Sequence, residues 1–372
     1  MKSLLCLVAA LVMVASSDED DVRIAQERSG KGECTANRCD VSEQRASSAA
    51  PQHPELLKRY AVRPDWSVAG VDYAVGAAST SLKDPATISM AGVSIDTSSR
   101  TVAISGNNIT LDGYDFSLHG GYQVSVAGAN ATISNSNFAI GTNQGSYLVY
   151  GTSGASNLIL AHNSFDGSAI GNATSFIGFA GSGLVTMEYN WFRKFPQHVV
   201  EFTQANGSPS FSVIYKYNLI EQGAIKDGAH LNFLQFGGGA ASSVDVEFNT
   251  TYQTPQTSGG EGFQFYSNTQ GGVIQDAVMA YNTMIAVGGS AGSAMSYMVH
   301  ANSYNDNSSA HSGSVHDNFF DLQAAWGAFY SAPSGWSFSN NMDMRTGQVI
   351  NSNNARSAAK LNKASQPRPA SR

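Results

Sequence analysis

Three cysteines, ten prolines and a charged fraction of 13% leave several classes of protein out of reach for this 372-residue chain. A disulfide-stapled scaffold needs far more thiols. Cys6 lies in the N-terminal apolar run, so only Cys34 and Cys39 remain to close one small loop in an oxidising compartment. Two thiols with no histidine nearby argue against a zinc site. Cations are scarcer still. Between residues 101 and 340 there are four, Arg193, Lys194, Lys216 and Lys226, against fourteen Asp and Glu. A net-negative body without a basic stripe argues against a nucleic-acid partner. Past residues 4–14 there is no long apolar run, so no transmembrane segment is expected. Glycine-rich phosphate loops, metalloprotease helix motifs and Gly-x-Ser-x-Gly elbows are also missing.

What the chain has in quantity is glycine, serine and asparagine, and the asparagines are ordered. Asn163, Asn190, Asn218, Asn249, Asn282, Asn318 and Asn341 each sit in the frame apolar-x-apolar-x-x-Asn-x-apolar, spaced by 27, 28, 31, 33, 36 and 23 residues. Residues 109–116 and 133–138 keep the frame without the Asn. A drifting period of this length marks a solenoid with loops of variable length. Each repeat reads as a short strand, a tight turn and further strands that return the chain one layer up. Asn suits the turn because its amide tolerates the left-handed conformation. Stacked coils, about 4.8 Å apart, let each amide bond the next. Two residues later, Phe165, Phe192, Ile220, Met284 and Phe320 form a second, apolar column. The expected fold is all-β, a right-handed parallel β-helix of about nine or ten coils with a short N-terminal cap.

Outside the repeats, residues 1–17 read as a signal peptide, with Lys2, an apolar run and the small residues Ala15, Ser16 and Ser17. That predicts a secreted, extracellular or periplasmic protein. Residues 18–53 read as a disordered leader or linker, 54–349 as the β-helix domain with its cap, and 350–372 as a disordered basic tail. Residues 54–60 are expected to form a short helix closing the open end of the stack. Residues 66–75 alternate as though opening the sheet. Asn-x-Ser/Thr acceptors occur at Asn108, Asn130, Asn172, Asn206, Asn249 and Asn307. Nothing asks for an oligomer, so a monomer is the default.

A second strand follows each Asn turn, as in His198-Val199-Val200-Glu201-Phe202, Asn232-Phe233-Leu234-Gln235-Phe236 and Gly262-Phe263-Gln264-Phe265-Tyr266. Alternation sends Phe202, Phe236 and Phe265 inward and leaves Glu201, Gln235 and Gln264 as outward neighbours on successive coils. With its Asn ladder, aromatic column and coil length, the chain from about residue 67 to 349 resembles the parallel β-helix proteins of the pectate-lyase-like superfamily. Residues 63–66 and 71–76 are similar to the opening of the β-helix in exported bacterial proteins of undefined function. The segment His230-x-Asn232-x-x-Gln235 is similar to the His-x-Asp-x-x-Gln run of β-helix proteins acting on polysaccharides, with Asn in place of Asp. The Trp-Ile-Asp-His and Arg-x-Pro-x-x-Arg segments of the best-known pectate lyases are absent, as are the aspartate segments of the β-helix hydrolases.

Charges sort against the ladder. Glu188, Lys216 and Glu247 each precede their Asn by two and should stack; Arg193 and Glu221 each follow by three and should pair. His198 and Lys226 share an offset of eight. The resulting constellation offers Lys226, His230 and His198 as catalytic bases. Glu201, Gln235, Gln264, Arg193, Lys194, Asn232 and Glu261 are then the substrate-binding groups, and Trp191 and Tyr266 sugar-stacking aromatics. Elimination on a uronate needs such a base, plus cations or donors to hold the developing charge. The expected function is therefore a polysaccharide lyase acting on a uronate-containing glycan. The alternative is a non-catalytic exported β-helix that binds glycan or serves as a surface protein. The acidic excess suits a Ca²⁺ bridge, but no oxygen-ligand cluster of defined spacing supports one.

Overall fold

The strand period found in the sequence becomes a stack of three-stranded coils. In the computed structural model, the described residues are 49–350 apart from 142–144, 170, 172, 206–207, 209, 224–228, 255–259, 268–271, 288–296, 302–310, 322–327 and 331–334. One coil is Ser175–Phe179, Ser182–Glu188 and Trp191–Arg193; the next is His198–Phe202, Phe211–Lys216 and Leu219–Glu221. Corresponding strands pair in parallel from coil to coil, giving sheets of ten, ten and nine strands. This is a parallel β-helix. At the two ends the pairing turns antiparallel: Val93–Asp96 covers Thr101–Ile104, and Val349–Ile350 covers Asn341–Asp343. Short antiparallel strands of this kind occupy edges that would otherwise template association.

The core is the interior of the stack. Phe116, Phe138, Phe165 and Phe192 stack with centroids 4.6, 4.7 and 5.0 Å apart. Phe202 and Phe236 add a second stack at 4.9 Å, and Phe265 is also fully buried. Offset ring contacts add to the burial of this apolar area.

The asparagine ladder is present and buried: all seven side chains have 0% exposure. From Asn163 to Asn318, each backbone N–H donates to the next coil's Asn Oδ1, as from Asn190 to Asn218 at 2.9 Å and from Asn218 to Asn249 at 3.0 Å. Over the same six, each Nδ2 donates to that oxygen and to a carbonyl on the coil before, as Asn218 does to Asn249 Oδ1 and Met187 O, both at 2.9 Å. Asn341 ends the ladder, and its Nδ2 donates to Val315 O. Ser136 takes the ladder position one coil earlier.

The ladder Asn is not itself the left-handed residue of its turn. The left-handed residue is the one before it: Asn135, His162, Tyr189, Tyr217, Phe248, Tyr281, Asp317 and Asn340 all have φ between 49° and 57°. For bulky side chains this conformation costs on the order of 1–2 kcal/mol each. It turns them outward into a second column. His162, Tyr189, Tyr217, Phe248 and Tyr281 stack at 4.8, 4.8, 5.2 and 5.0 Å.

That outer column is covered by the chain that precedes the coils. Residues 66–75 do not open the first sheet, which begins at Val93. They belong to a strap that runs along the third sheet's outer side, antiparallel to the order of the coils. Val62 N–H donates to Met344 O, Gly76 N–H to Tyr189 O and Lys83 N–H to Gly113 O. Trp66 meets Phe248, Tyr281 and Phe319 edge-on at 6.3, 5.6 and 5.2 Å, and Tyr73 meets Tyr189. The expected helix is a single 3-10 turn, Leu56–Arg59. It lies on the flank, with Leu57 packed among Ile285 and Met344 and Tyr60 Oη donating to Asp321 at 2.6 Å. Apolar side chains on the outer face of the sheet supply a partner there that an end cap would not meet. The expected signal peptide, the expected leader up to residue 48, Cys34, Cys39 and residues 351–372 lie outside the described residues.

Two surface expectations also change. Glu188, Lys216 and Glu247 stand in register as anticipated, with Lys216 Nζ 2.6 Å from Glu247. Arg193 instead pairs with Asp166 at 2.7 Å, while Glu221 accepts from Trp191 Nε1 at 2.8 Å and meets His53 at 2.5 Å. The strap's arrival at Glu221 makes that difference. Asn249, one of the glycosylation acceptors, is sealed in the ladder. A fully buried amide is closed to a glycosyltransferase in the folded chain.

Candidate functional site: the outer face of the first sheet

The first sheet sends Val199, Val200 and Phe202 on one coil, and Phe233, Leu234 and Phe236 on the next, into the core, which leaves His198, Glu201, Asn232 and Gln235 for its other side. Register aligns these in two columns. One holds Tyr147, Ser175, His198 and Asn232, and the other Tyr150, Gly178, Glu201 and Gln235. On later coils Glu261 aligns with Tyr297, Gln264 with His300, and His300 with Tyr330.

Gly178 is the gap that lets the first of these groups meet. A Cβ there would sit 2.7 Å from the Tyr147 ring, so only glycine allows the ring to cross this strand. Tyr147 Oη then reaches past it to donate to Glu201 Oε2 at 3.0 Å, and Ser175 Oγ donates to the same oxygen at 3.3 Å. Burial, and then the Glu201 charge, push the Tyr147 hydroxyl well above its ordinary pKa, so it holds its proton as a donor.

Asn232 is fully buried and donates from Nδ2 to Gln235 Oε1 at 2.6 Å and to Gln264 Oε1 at 2.9 Å. Asn in place of the acid suits this setting: a carboxylate there would face two amide oxygens with no proton to offer. Gln264 is itself buried, not an open surface neighbour of Gln235 as alternation suggested. His198 is 3% exposed, and its Nδ1 has no hydrogen-bond partner. Burial, reinforced by the nearby His230 charge, lowers its pKa to about 3 and keeps the ring neutral.

Glu261, 3% exposed, lies between two imidazoles. His230 Nε2 is 3.3 Å from Oε2, and His300 Nδ1 is 3.5 Å from Oε1. Burial opposes ionisation of Glu261, but hydrogen bonding from His300 and the charges of His230 and His300 outweigh it and hold the carboxyl below its usual range. His300 is fully buried, with the Tyr330 ring 4.2 Å away and Tyr297 packed against Tyr330 at 4.9 Å.

Seven of the expected site residues therefore share this sheet: His198, Glu201, His230, Asn232, Gln235, Glu261 and Gln264. Arg193 does not. It lies on the third sheet, bound to Asp166, with its guanidinium 4.4 Å from the Trp191 ring centre. Lys194 follows at a left-handed turn with φ 52°, exposed and tied by its backbone to Glu221. Trp191 is withdrawn from sugar stacking by Arg193 and by the strap residues Tyr73 and Val75. Lys226 and the Tyr266 side chain lie outside the described residues.

Sequence reading missed Tyr147, Ser175, Tyr297, His300 and Tyr330. Their signal was the second-strand register, since Tyr147 and Ser175 occupy the His198 column on the two coils before it. The described strands of this sheet contain no Lys or Arg. Among the described residues, no group of three or more His, Cys, Asp or Glu is gathered to hold a metal ion. Imidazoles take up much of the cluster, and imidazole nitrogen does not suit Ca²⁺, which takes six to eight oxygens. No family model, curated protein or solved structure matches the chain.

Proposed function

We propose that this chain is an exported, polysaccharide-active protein of the pectate-lyase-like type, with its glycan laid on the outer face of the first sheet. The observation that carries the reading is the unbroken run of hydroxyl, amide, imidazole and carboxylate groups from Tyr147 to Tyr330 across successive coils. A polymer with a repeating array of hydroxyls is matched by donors and acceptors repeated along one face. The third sheet offers no such surface, because the strap covers it. The reaction we assign is β-elimination from a uronate, with His198 or His230 as proton acceptor, Gln235 and Gln264 as donors toward the carboxylate, and Asn232 orienting the two glutamines through their Oε1 atoms.

A non-catalytic reading has its own support. Glu201 and Glu261 lie on a face whose described strands have no cation, which favours a neutral glycan over a uronate. The test is incubation of the purified protein with a panel of uronate polymers and neutral glycans, following unsaturated products by ultraviolet absorbance and retention by affinity electrophoresis. Unsaturated product from a uronate polymer, abolished in His198→Ala/His230→Ala, supports the lyase. Retention of neutral glycans with no product from any uronate overturns it in favour of binding.

A further inference from the structure

His198 and His230 are not equivalent as bases. The Nδ1 of His198 is sealed from solvent, whereas the His230 side chain is 52% exposed while its Nε2 edge faces a buried carboxylate. A second imidazole, that of His300, lies 3.5 Å from the other oxygen of this carboxylate, Glu261, and is fully buried against Tyr330. The order is therefore an open histidine, a buried acid and a buried histidine, placed on three different coils. A buried carboxylate at an imidazole nitrogen draws the proton to that nitrogen. It fixes the ring's orientation, leaves the opposite nitrogen with its lone pair outward and stabilises the imidazolium that forms.

We propose that His230 is the catalytic base of the elimination, with Glu261 and His300 as its positioning residues; this rests on the lyase reading above. With Nε2–H directed at Glu261, Nδ1 of His230 removes the proton from C5 of the uronate. The C5–H electron pair forms the C4=C5 double bond as the bond from C4 to the glycosidic oxygen breaks. The imidazolium returns the same proton to that leaving oxygen, so no further reactant is needed and the ring ends neutral. Glu261 remains ionised throughout. His300 holds it in place, and Tyr330 packs against His300. Among the described residues, His198 from the neighbouring coil is a further titratable group near His230. Being neutral, it adds no opposing charge when the imidazolium forms.

The assignment can be tested without knowing the substrate. Histidine ring signals of the full-length protein are followed by NMR, with ring nitrogens reporting the tautomer, in the native chain and in Glu261→Gln, Glu261→Asp and His300→Gln, with His230→Asn identifying the signal. The neutral ring of native His230 should carry its proton on Nε2. Glu261→Gln should release that preference and give a mixture of the two tautomers. Glu261→Asp should restore the native tautomer in part. On any glycan that yields product, Glu261→Gln should lower kcat on the order of tenfold to a hundredfold with KM little changed. An unchanged tautomer in Glu261→Gln overturns the positioning role even if a substrate is cleaved. A changed tautomer with no cleavage of any polymer leaves the His230–Glu261 pair standing and removes the lyase reading instead. Full activity in a folded His230→Asn variant overturns His230 as the base.

Discussion

Two stacks of polar side chains run through this molecule, and they differ in what they repeat. Inside the coils, seven asparagines succeed one another with the same bonds at each step, and none of their amides faces water. On the first sheet, His198, Asn232, Glu261, Gln264 and His300 are as deeply buried, yet their chemistry changes at each coil. The ladder neutralises every group with an identical neighbour, so it has nothing left to titrate. The sheet cluster mixes imidazole, amide and carboxylate: burial lowers the His198 pKa, and the flanking imidazoles lower that of Glu261 against its burial. In a solenoid, repetition serves the fold. Chemistry gathers where a polar column stops repeating.

The largest expected effect is on the ladder. Asn218 donates to Met187 O and Asn249 Oδ1 and accepts from the N–H and Nδ2 of Asn190. Asn218→Leu strands these partners at about 1–3 kcal/mol each, so the loss in urea unfolding should exceed about 4 kcal/mol. Asn218→Ser, which copies the chemistry at Ser136, should fall between this and the native chain. The exposed row Asn108, Asn130 and Asn157 offers the contrast, with Asn157 Nδ2 donating to Asn130 Oδ1 at 2.9 Å and φ 57°. Asn157→Gly keeps that backbone freedom and should cost under about 1 kcal/mol, because water replaces the lost partner. Equal losses at the two positions would erase the distinction between the buried and the exposed row.

Next comes the strap. Trp66→Ala removes three edge-on ring contacts. At roughly 0.5–1.5 kcal/mol per pair beyond area, the expected loss is about 2–3 kcal/mol, with faster proteolytic cleavage between residues 60 and 80. Unchanged stability and cleavage would mean that the outer aromatic column stands without its cover.

Lowering the pH should then separate the two polar stacks. His198 has a folded pKa of about 3, below its unfolded value near 6.5. The unfolded chain therefore binds the extra proton first. The contribution of His198 is complete above pH 6.5 and is lost as pH falls toward 3. Between pH 7 and pH 5 this amounts to about 2 kcal/mol. His198→Asn should flatten that part of the stability curve, whereas ladder variants should leave its slope alone. A slope untouched by His198→Asn would show that the ring is not held neutral. The smallest effect belongs to the surface of the second sheet: Lys216→Met, which breaks the 2.6 Å pair with Glu247, should cost under about 1 kcal/mol in the same unfolding assay.

Much of the architecture was legible because the ladder and the Phe column recur in one frame. The outer column was just as visible, one residue before each Asn, as His162, Tyr189, Tyr217, Phe248 and Tyr281. Assigning the left-handed turn to the Asn hides it. In fact the Asn supplies only the buried amide, and the residue before it carries the strain. The strap was not legible at all. Trp66 meets side chains some 180 to 250 residues further along the chain, and no periodicity links them. On the first sheet, His198, Glu201 and Gln235 could be aligned from strand offsets. Tyr147 was missed because its reach depends on a glycine one strand away.

The sequence by itself determined the stack: a residue type recurring at the spacing of one coil sets the register, and parallel hydrogen bonding then follows at every layer. Only the tertiary structure decided which outer face is covered, why Arg193 faces Asp166 and not Glu221, and how Glu261 comes to lie between His230 and His300. The ladder needs the same neighbour at each step, so its information is periodic and can be read along the chain. The strap and the imidazole cluster need particular neighbours at one place, and folding alone brings those together.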